Sequence, residues 1–198
     1  MSGPTSIDTH RPYAPFLLLK GIDLLTLPQL QREIAAWSEH NFGDNDGLDS
    51  VAPLLGVVEE IGELFEAVTE AAMRDALADA AIFFCDFCNR EGVDIATLIP
   101  HHESMHDPSR FDDPTAWLVV SAGRLAHAVL KHRQGIRAHG ATHSHWEARN
   151  DAIVRAYLGL CAYSQVEFEE ALLRVVEPIW QEVRKRDWKT YPLTGLPD

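Results

Sequence analysis

Basic residues are scarce in this sequence: its 198 residues hold 17 Lys and Arg against 30 Asp and Glu, a formal charge of −13. That surplus repels polyanions unless the few bases gather in one place, so neither a nucleic acid polymer nor an anionic membrane is expected as the main partner. Cysteine is scarce too. Cys85, Cys88 and Cys161 are too few for a disulfide framework and odd in number. No run approaches the ~20 apolar residues of a membrane span. The start MSGPTSIDTHRPYAPF lacks the basic-then-apolar pattern of a signal peptide, which makes a reducing, cytoplasmic location the expectation. Also missing are a period-two alternation long enough for a sheet, a Walker-type Gly-rich loop and a Gly-x-Ser-x-Gly elbow.

What the sequence does have is helical periodicity on a globular composition, with length for one sizeable core or two small coupled ones. Residues 1–28, with Pro4, Pro12, Pro15 and Pro28, read as an extended N-terminal arm. From Pro28, PQLQREIAAWSEHNF spaces Leu30, Ile34 and Trp37 three and four apart, predicting a helix that GDNDG at 43–47 ends. Residues 52–72 place Leu54, Val57, Val58, Ile61, Leu64, Phe65 and Val68 on one apolar stripe, and a further helix over about 74–91 closes at Gly92. HHESMHDPSRFDDP at 101–114 reads as a linker, followed by helices at about 115–134, 147–165 and 167–188. The predicted class is all-α, a helical bundle.

Two segments recur in order. VVEEIGELFEAVTE (57–70) aligned with LVVSAGRLAHAVLK (118–131) matches Gly62 with Gly123, Leu64 with Leu125, Ala67 with Ala128 and Val68 with Val129. DALADAAIFFCDF (75–87) aligned with DAIVRAYLGLCAY (151–163) matches Asp75 with Asp151, Ala80 with Ala156 and Cys85 with Cys161. Either match alone is weak. Together they predict two tandem related units, residues 29–100 and 115–198, the second packed on the first. The acids are not repeated: Glu60 corresponds to Ser121, Glu63 to Arg124 and Asp79 to Arg155.

Chemistry concentrates in the first unit. Glu59, Glu60 and Glu63 fall within about a 100° arc of one helix, because positions three and four apart share a face. Taken alone, that cluster reads first as a solvated acidic face, since it lies away from the apolar stripe. The next helix changes the reading, since it is apolar around nearly its whole circumference except for a strip of Asp75, Asp79 and Asp86. Carboxylates on a buried helix cost several kcal/mol each unless paired or bound to a cation, and only Arg74 and Arg90 lie within that helix. A divalent metal resolves the conflict: Mg²⁺ prefers carboxylate and water oxygens and bridges to phosphates.

VEEIGELFEA followed by RDALADAAIFFCDFCNREGVD resembles the MazG-like all-α nucleotide pyrophosphohydrolases, whose signature is EExxE on one helix and ExxD on the next. Glu59, Glu60 and Glu63 match the first part and Asp79 the final acid, while Ala76 stands where the signature has its second glutamate, with Asp75 one residue earlier as a substitute. The resemblance implies Mg²⁺, or Mn²⁺ in its place, held by Glu60, Glu63, Asp79 and Asp75. It implies hydrolysis of a nucleoside triphosphate to a monophosphate and pyrophosphate, with Glu59 or Glu60 as the base. It also implies assembly from two or more copies, a homodimer among them, with each site finished by a neighbour.

Substrate contacts are expected from bases at positions where the first repeat has acids. Arg124, His127 and Lys131 lie within about a 60° arc and correspond to Glu63, Glu66 and Glu70. Arg137, Lys185 and Arg186 are further phosphate candidates, and Trp37, Asn41 and Trp188 are candidates for contacting the base. Cys85-x-x-Cys88 has no second pair and sits in an apolar helix, so small core residues are the expectation. The His-rich stretches around His101 to His106 and His139 to His145 lack a fixed carboxylate or cysteine register. Ala76 and the missing acids of the second unit leave one rival, a lapsed helical module that binds a nucleotide or a protein partner without turnover.

Overall fold

A computed structural model describes residues 25–43, 49–102, 114–135, 145–163 and 168–190. The expected N-terminal arm, Arg137 and most of both His-rich stretches lie outside the described residues or on their margins. Helix α1 spans Leu27–Phe42, α2 Val51–Glu66, α3 Glu70–Arg90, α4 Ile95–His102, α5 Pro114–Arg133, α6 His145–Tyr163 and α7 Phe168–Val183. Among the described residues there is no strand, which agrees with the all-α expectation. No helix among them is long and apolar enough to cross a membrane.

Local chemistry sets the helix ends. Thr26 opens α1 with a capping box: its hydroxyl accepts from Gln29 N at 3.4 Å, its own N–H donates to Gln29 Oε1 at 2.8 Å, and Pro28 occupies the first turn. The helix expected over 52–72 is broken at 67–69, because the Thr69 hydroxyl accepts from Ala72 N at 3.2 Å and starts a new helix there; of the stripe expected along it, Val58, Phe65 and Val68 are exposed, because the face that α2 buries is the narrower arc of Leu54, Val57, Ile61 and Leu64. Gly92, at φ 66°, ends α3, with Val93 N–H donating to Cys88 O at 2.9 Å in the closing turn of a Schellman motif.

Helix α4 was not expected. At eight residues it is too short to show periodicity, and Asp94 starts it by accepting from Thr97 N at 3.3 Å. The chain entering it is clasped by Gln31, whose side-chain amide donates to Val93 O at 2.6 Å and accepts from Ile95 N at 3.1 Å. Helix α7 stops at Val183, short of the expected 188, and the chain continues through turns to residue 190.

α3 is the centre of the molecule. It buries Ala76, Leu77, Ala80, Ala81, Phe84 and Phe87, among others, and packs on α2, α7, α1 and α6. α2 and α3 form one intimate helical hairpin and α5 and α6 the other, with α5 also against α2 and α7 across α3 and α6. Both hairpins cross closely at a glycine. A Cβ on Gly56 would lie 2.6 Å from the Phe83 ring, and one on Gly159 would lie 3.2 Å from Leu118 Cα.

The first crossing sets how α2 meets the acidic strip of α3. Gly56→Ala is expected to destabilise the fold by about 1–3 kcal/mol, because the Phe83 ring must shift. Gly62→Ala, with open space around its Cβ, is expected to stabilise by about 0.5–1 kcal/mol through helix propensity. Paired urea titrations check this; equal effects of one sign would contradict the packing.

Candidate carboxylate site

The α2–α3 hairpin gathers the acids. Glu60 and Asp79 are half-buried and face each other across the crossing, with Glu59, Glu63 and Asp75 more exposed around them. Burial, then the charges of Asp79, Glu63, Glu59 and Asp75, pushes the Glu60 carboxyl up to about 8. Burial and the Asp75 charge push Asp79 up to about 6, against a lowering from Arg186. Each carboxyl is thus made hard to ionise both by loss of water and by its neighbours. Among the described residues none of these five carboxylates has an ion-pair partner. Arg74 pairs instead with Glu70 at 2.7 Å, and Arg90 with Asp86 at 2.9 Å.

Asp86, the third acid of the strip, has a different role. It is buried with Arg90, which also donates to the Ser38 hydroxyl at 3.0 Å, so this pair ties α3 to α1. Ala76 faces the core, whereas the charge of Asp75 is felt at both Glu60 and Asp79.

A ladder on α1 brings the C-terminal segment to this site. Glu33, Trp37 and Asn41 recur every four residues on one face. Glu33 accepts from Trp180 Nε1 at 2.9 Å and from Arg184 at 2.7 Å. Trp37 Nε1 donates to Arg186 O at 3.0 Å, and Asn41 Oδ1 accepts from Trp188 N at 2.7 Å. The Trp37 ring stands edge-on to Trp180 and Phe42 at 5.9 and 5.6 Å. The polar atoms of Trp37 and Asn41 are thus committed to the protein, and their effect is to hold the segment that carries Arg186, whose charge is felt at Asp79. Glu33 and Arg184, which complete the ladder, were not singled out from sequence; the i, i+4, i+8 spacing of Glu33, Trp37 and Asn41 was the available signal.

The remaining phosphate candidates stand elsewhere. Arg124 is exposed on α5, Lys131 donates to Gln134 Oε1 at 3.4 Å, and Lys185 pairs with Glu182 at 2.7 Å. Within one chain, Arg186 is the basic candidate whose charge is felt at the carboxylates. Cys85, Cys88 and Cys161 are buried free thiols, and burial pushes Cys85 up to about 12, which suits inert core residues.

The donor set is of the kind a hard divalent cation takes, all-oxygen carboxyls partly removed from water, with the Arg186 charge felt at Asp79 but no ion pair to any of the five among the described residues. Among the described residues no three such side chains converge at ligand distance from one point, a spacing consistent with repulsion between like charges. The chain matches no protein-family model, no curated protein and no solved structure.

Both raised carboxyls hold protons more tightly in the folded chain than at their ordinary values of 4.5 and 3.8. The stability they confer is complete below those values and is lost as pH rises through about 6 for Asp79 and about 8 for Glu60. Glu60→Gln is therefore expected to melt above the parent chain at alkaline pH, with the difference closing towards pH ~4. Mg²⁺ is expected to raise the parent's midpoint more at alkaline than at acid pH, and to leave a Glu60→Gln/Asp79→Asn double variant unmoved. Parallel melting curves at all pH values would contradict the cluster.

Proposed function

We propose that this chain is a MazG-like nucleotide pyrophosphohydrolase, converting a nucleoside triphosphate and water to a monophosphate, pyrophosphate and a proton. The observation that carries the reading is the gathering of five unpaired carboxylates by the α2–α3 hairpin, with Arg186 at their edge. The EExxE pattern and Asp79 supply the family resemblance. A tandem duplication is part of the proposal. The two glycine crossings support it: Phe83, which meets Gly56, aligns with Gly159, which meets Leu118, the residue after Gly56's counterpart Trp117. The small residue has changed helices while the close crossing is kept.

Glu60, Glu63, Asp75 and Asp79 would hold Mg²⁺ or Mn²⁺, which when bound supplies charge neutralisation at phosphate and a more acidic water. Glu60 faces Asp79 and is the better placed of the two base candidates to act as a ligand. It gives up its proton when positive charge enters the cluster, because the repulsion that raised its affinity is then cancelled. Glu59, one residue round the helix and exposed, is left to accept the proton of the attacking water. Arg186 donates to phosphate oxygens, and the Trp37–Asn41 ladder fixes the backbone that carries it.

The test is turnover of a panel of ribo-, deoxy- and modified nucleoside triphosphates with Mg²⁺ or Mn²⁺. Glu60→Gln and Asp79→Asn are each expected to lower kcat at least ~100-fold, while Trp37→Phe, which removes the hydrogen bond to Arg186 O and keeps an aromatic ring beside Trp180, is expected to act mainly on KM. Nucleotide binding with no turnover of any member would establish the lapsed module in place of the enzyme.

A further inference from the structure

A cleft of about 320 Å³ opens between the first half of α1 and the turn that joins α3 to α4. Its volume lies at the lower end of the roughly 300–1,000 Å³ of small-molecule sites. Asn89, on its wall, is ten residues beyond Asp79 on α3, which puts the cleft roughly 15 Å along that helix from the carboxylates. Both walls are fixed: Gln31 bridges α1 to the turn through Val93 O and Ile95 N, and Asn89 Nδ2 donates to Gln31 O at 3.0 Å. Gly92, at φ 66°, has nothing within 4 Å of where a Cβ would stand, so the turn puts no side chain over the opening.

Two opposite charges line this cleft without pairing. The Arg32 side chain, on the α1 wall, is exposed and has no ion-pair or hydrogen-bond partner among the described residues. Asp94, on the turn wall, commits Oδ1 to Thr97 N at 3.3 Å, and its Oδ2, like Asn89 Oδ1, has no partner among the described residues. These oxygens stand by the C-terminal end of α3, where the helix dipole adds negative potential. One wall therefore offers a planar cation and the other a set of acceptors, with Pro28, Ala35 and Val93 as apolar lining.

The charges select the ligand. A guanidinium takes a carboxylate through two parallel hydrogen bonds. An ammonium has three donors and no acceptor, which matches a wall of oxygens. A molecule with only anionic groups, a nucleotide included, meets repulsion at Asp94, and one with only cationic groups meets it at Arg32. We propose that the cleft binds a free α-amino acid with an apolar side chain. Its carboxylate sits on Arg32, its ammonium on Asp94 and Asn89, and its side chain against Pro28, Ala35 and Val93. The site is separate from the carboxylate cluster and stands whether or not the chain hydrolyses a nucleotide.

The test is titration of the full chain with L-leucine, L-valine and L-methionine, read by calorimetry and by amide chemical shifts of the ¹⁵N-labelled protein. At least one is expected to bind with a Kd of about 1 mM or tighter, moving the signals of Gly92 and Val93 and not those of Glu60 and Asp79. N-acetylation, which removes the ammonium, and amidation, which removes the carboxylate, are each expected to weaken binding at least ~10-fold, as are Asp94→Asn and Arg32→Gln. Asp94→Asn keeps an acceptor for Thr97 N, and Arg32→Gln keeps a good helix former at an exposed position, so both are expected to melt with the parent when no amino acid is present. No binding by any of the three at about 10 mM overturns the proposal. So do undiminished affinity for an N-acetyl or amide derivative, undiminished affinity in both variants, and shifts centred on the α2–α3 carboxylates.

Discussion

The close crossing of α2 over α3 is the constraint on which the rest depends. Gly56 lets the Phe83 ring come to where a side chain would otherwise sit, and this proximity holds Glu60 against Asp79. The core of α3 then fixes the acids from below. Its neighbours at Ala76, Leu77, Ala78 and Ala80 are buried, so the helix cannot rotate to relieve the repulsion without exposing apolar surface. Hydrophobic burial thus maintains an electrostatic arrangement that is unfavourable by itself. Such a conflict is characteristic of sites built for a charged ligand.

Around this crossing the molecule adds charge of the opposite sign sparingly and by design of its backbone. α1 uses Glu33, Trp37 and Asn41 to grip Trp180, Arg184, Arg186 and Trp188, residues about 150 positions away in the chain. Two of the four contacts are made to backbone atoms, which fixes the path of the segment carrying Arg186, whose charge is felt at Asp79. At the other end of α3, Glu91 accepts from Ser50 and Arg149, at 2.5 and 2.7 Å, and joins the first hairpin to the second. The polar contact between the two hairpins at Glu91 therefore lies past the C-terminal end of α3, away from Asp75 and Asp79.

Much of this was legible in the sequence, for identifiable reasons. α3 is apolar on all sides, which predicts burial, and an aspartate strip on such a helix predicts a site. The strip then divided: Asp79 joined Glu60, while Asp86 found Arg90 four residues on, a pairing that the i, i+4 spacing itself announces. The break between α2 and α3 was hidden because Val68 continues the apolar stripe through it, and only Thr69 as a cap marks the change. α4 was hidden because two buried residues, Ile95 and Leu98, are too few to display a period. The roles of Trp37 and Asn41 were hidden because their partners lie far away in sequence. Spacing shows which residues share a face but not what that face meets.

The central claim is that an acidic helical hairpin handles a triphosphate by cutting between its α and β phosphates. Phosphorus NMR of a nucleoside triphosphate incubated with the protein and Mg²⁺ reads the products directly. The account predicts that monophosphate and pyrophosphate appear in equal amounts, and that orthophosphate does not. Orthophosphate with a diphosphate would contradict the bond assignment, and an unchanged triphosphate spectrum across all nucleotides tried would contradict the catalytic account.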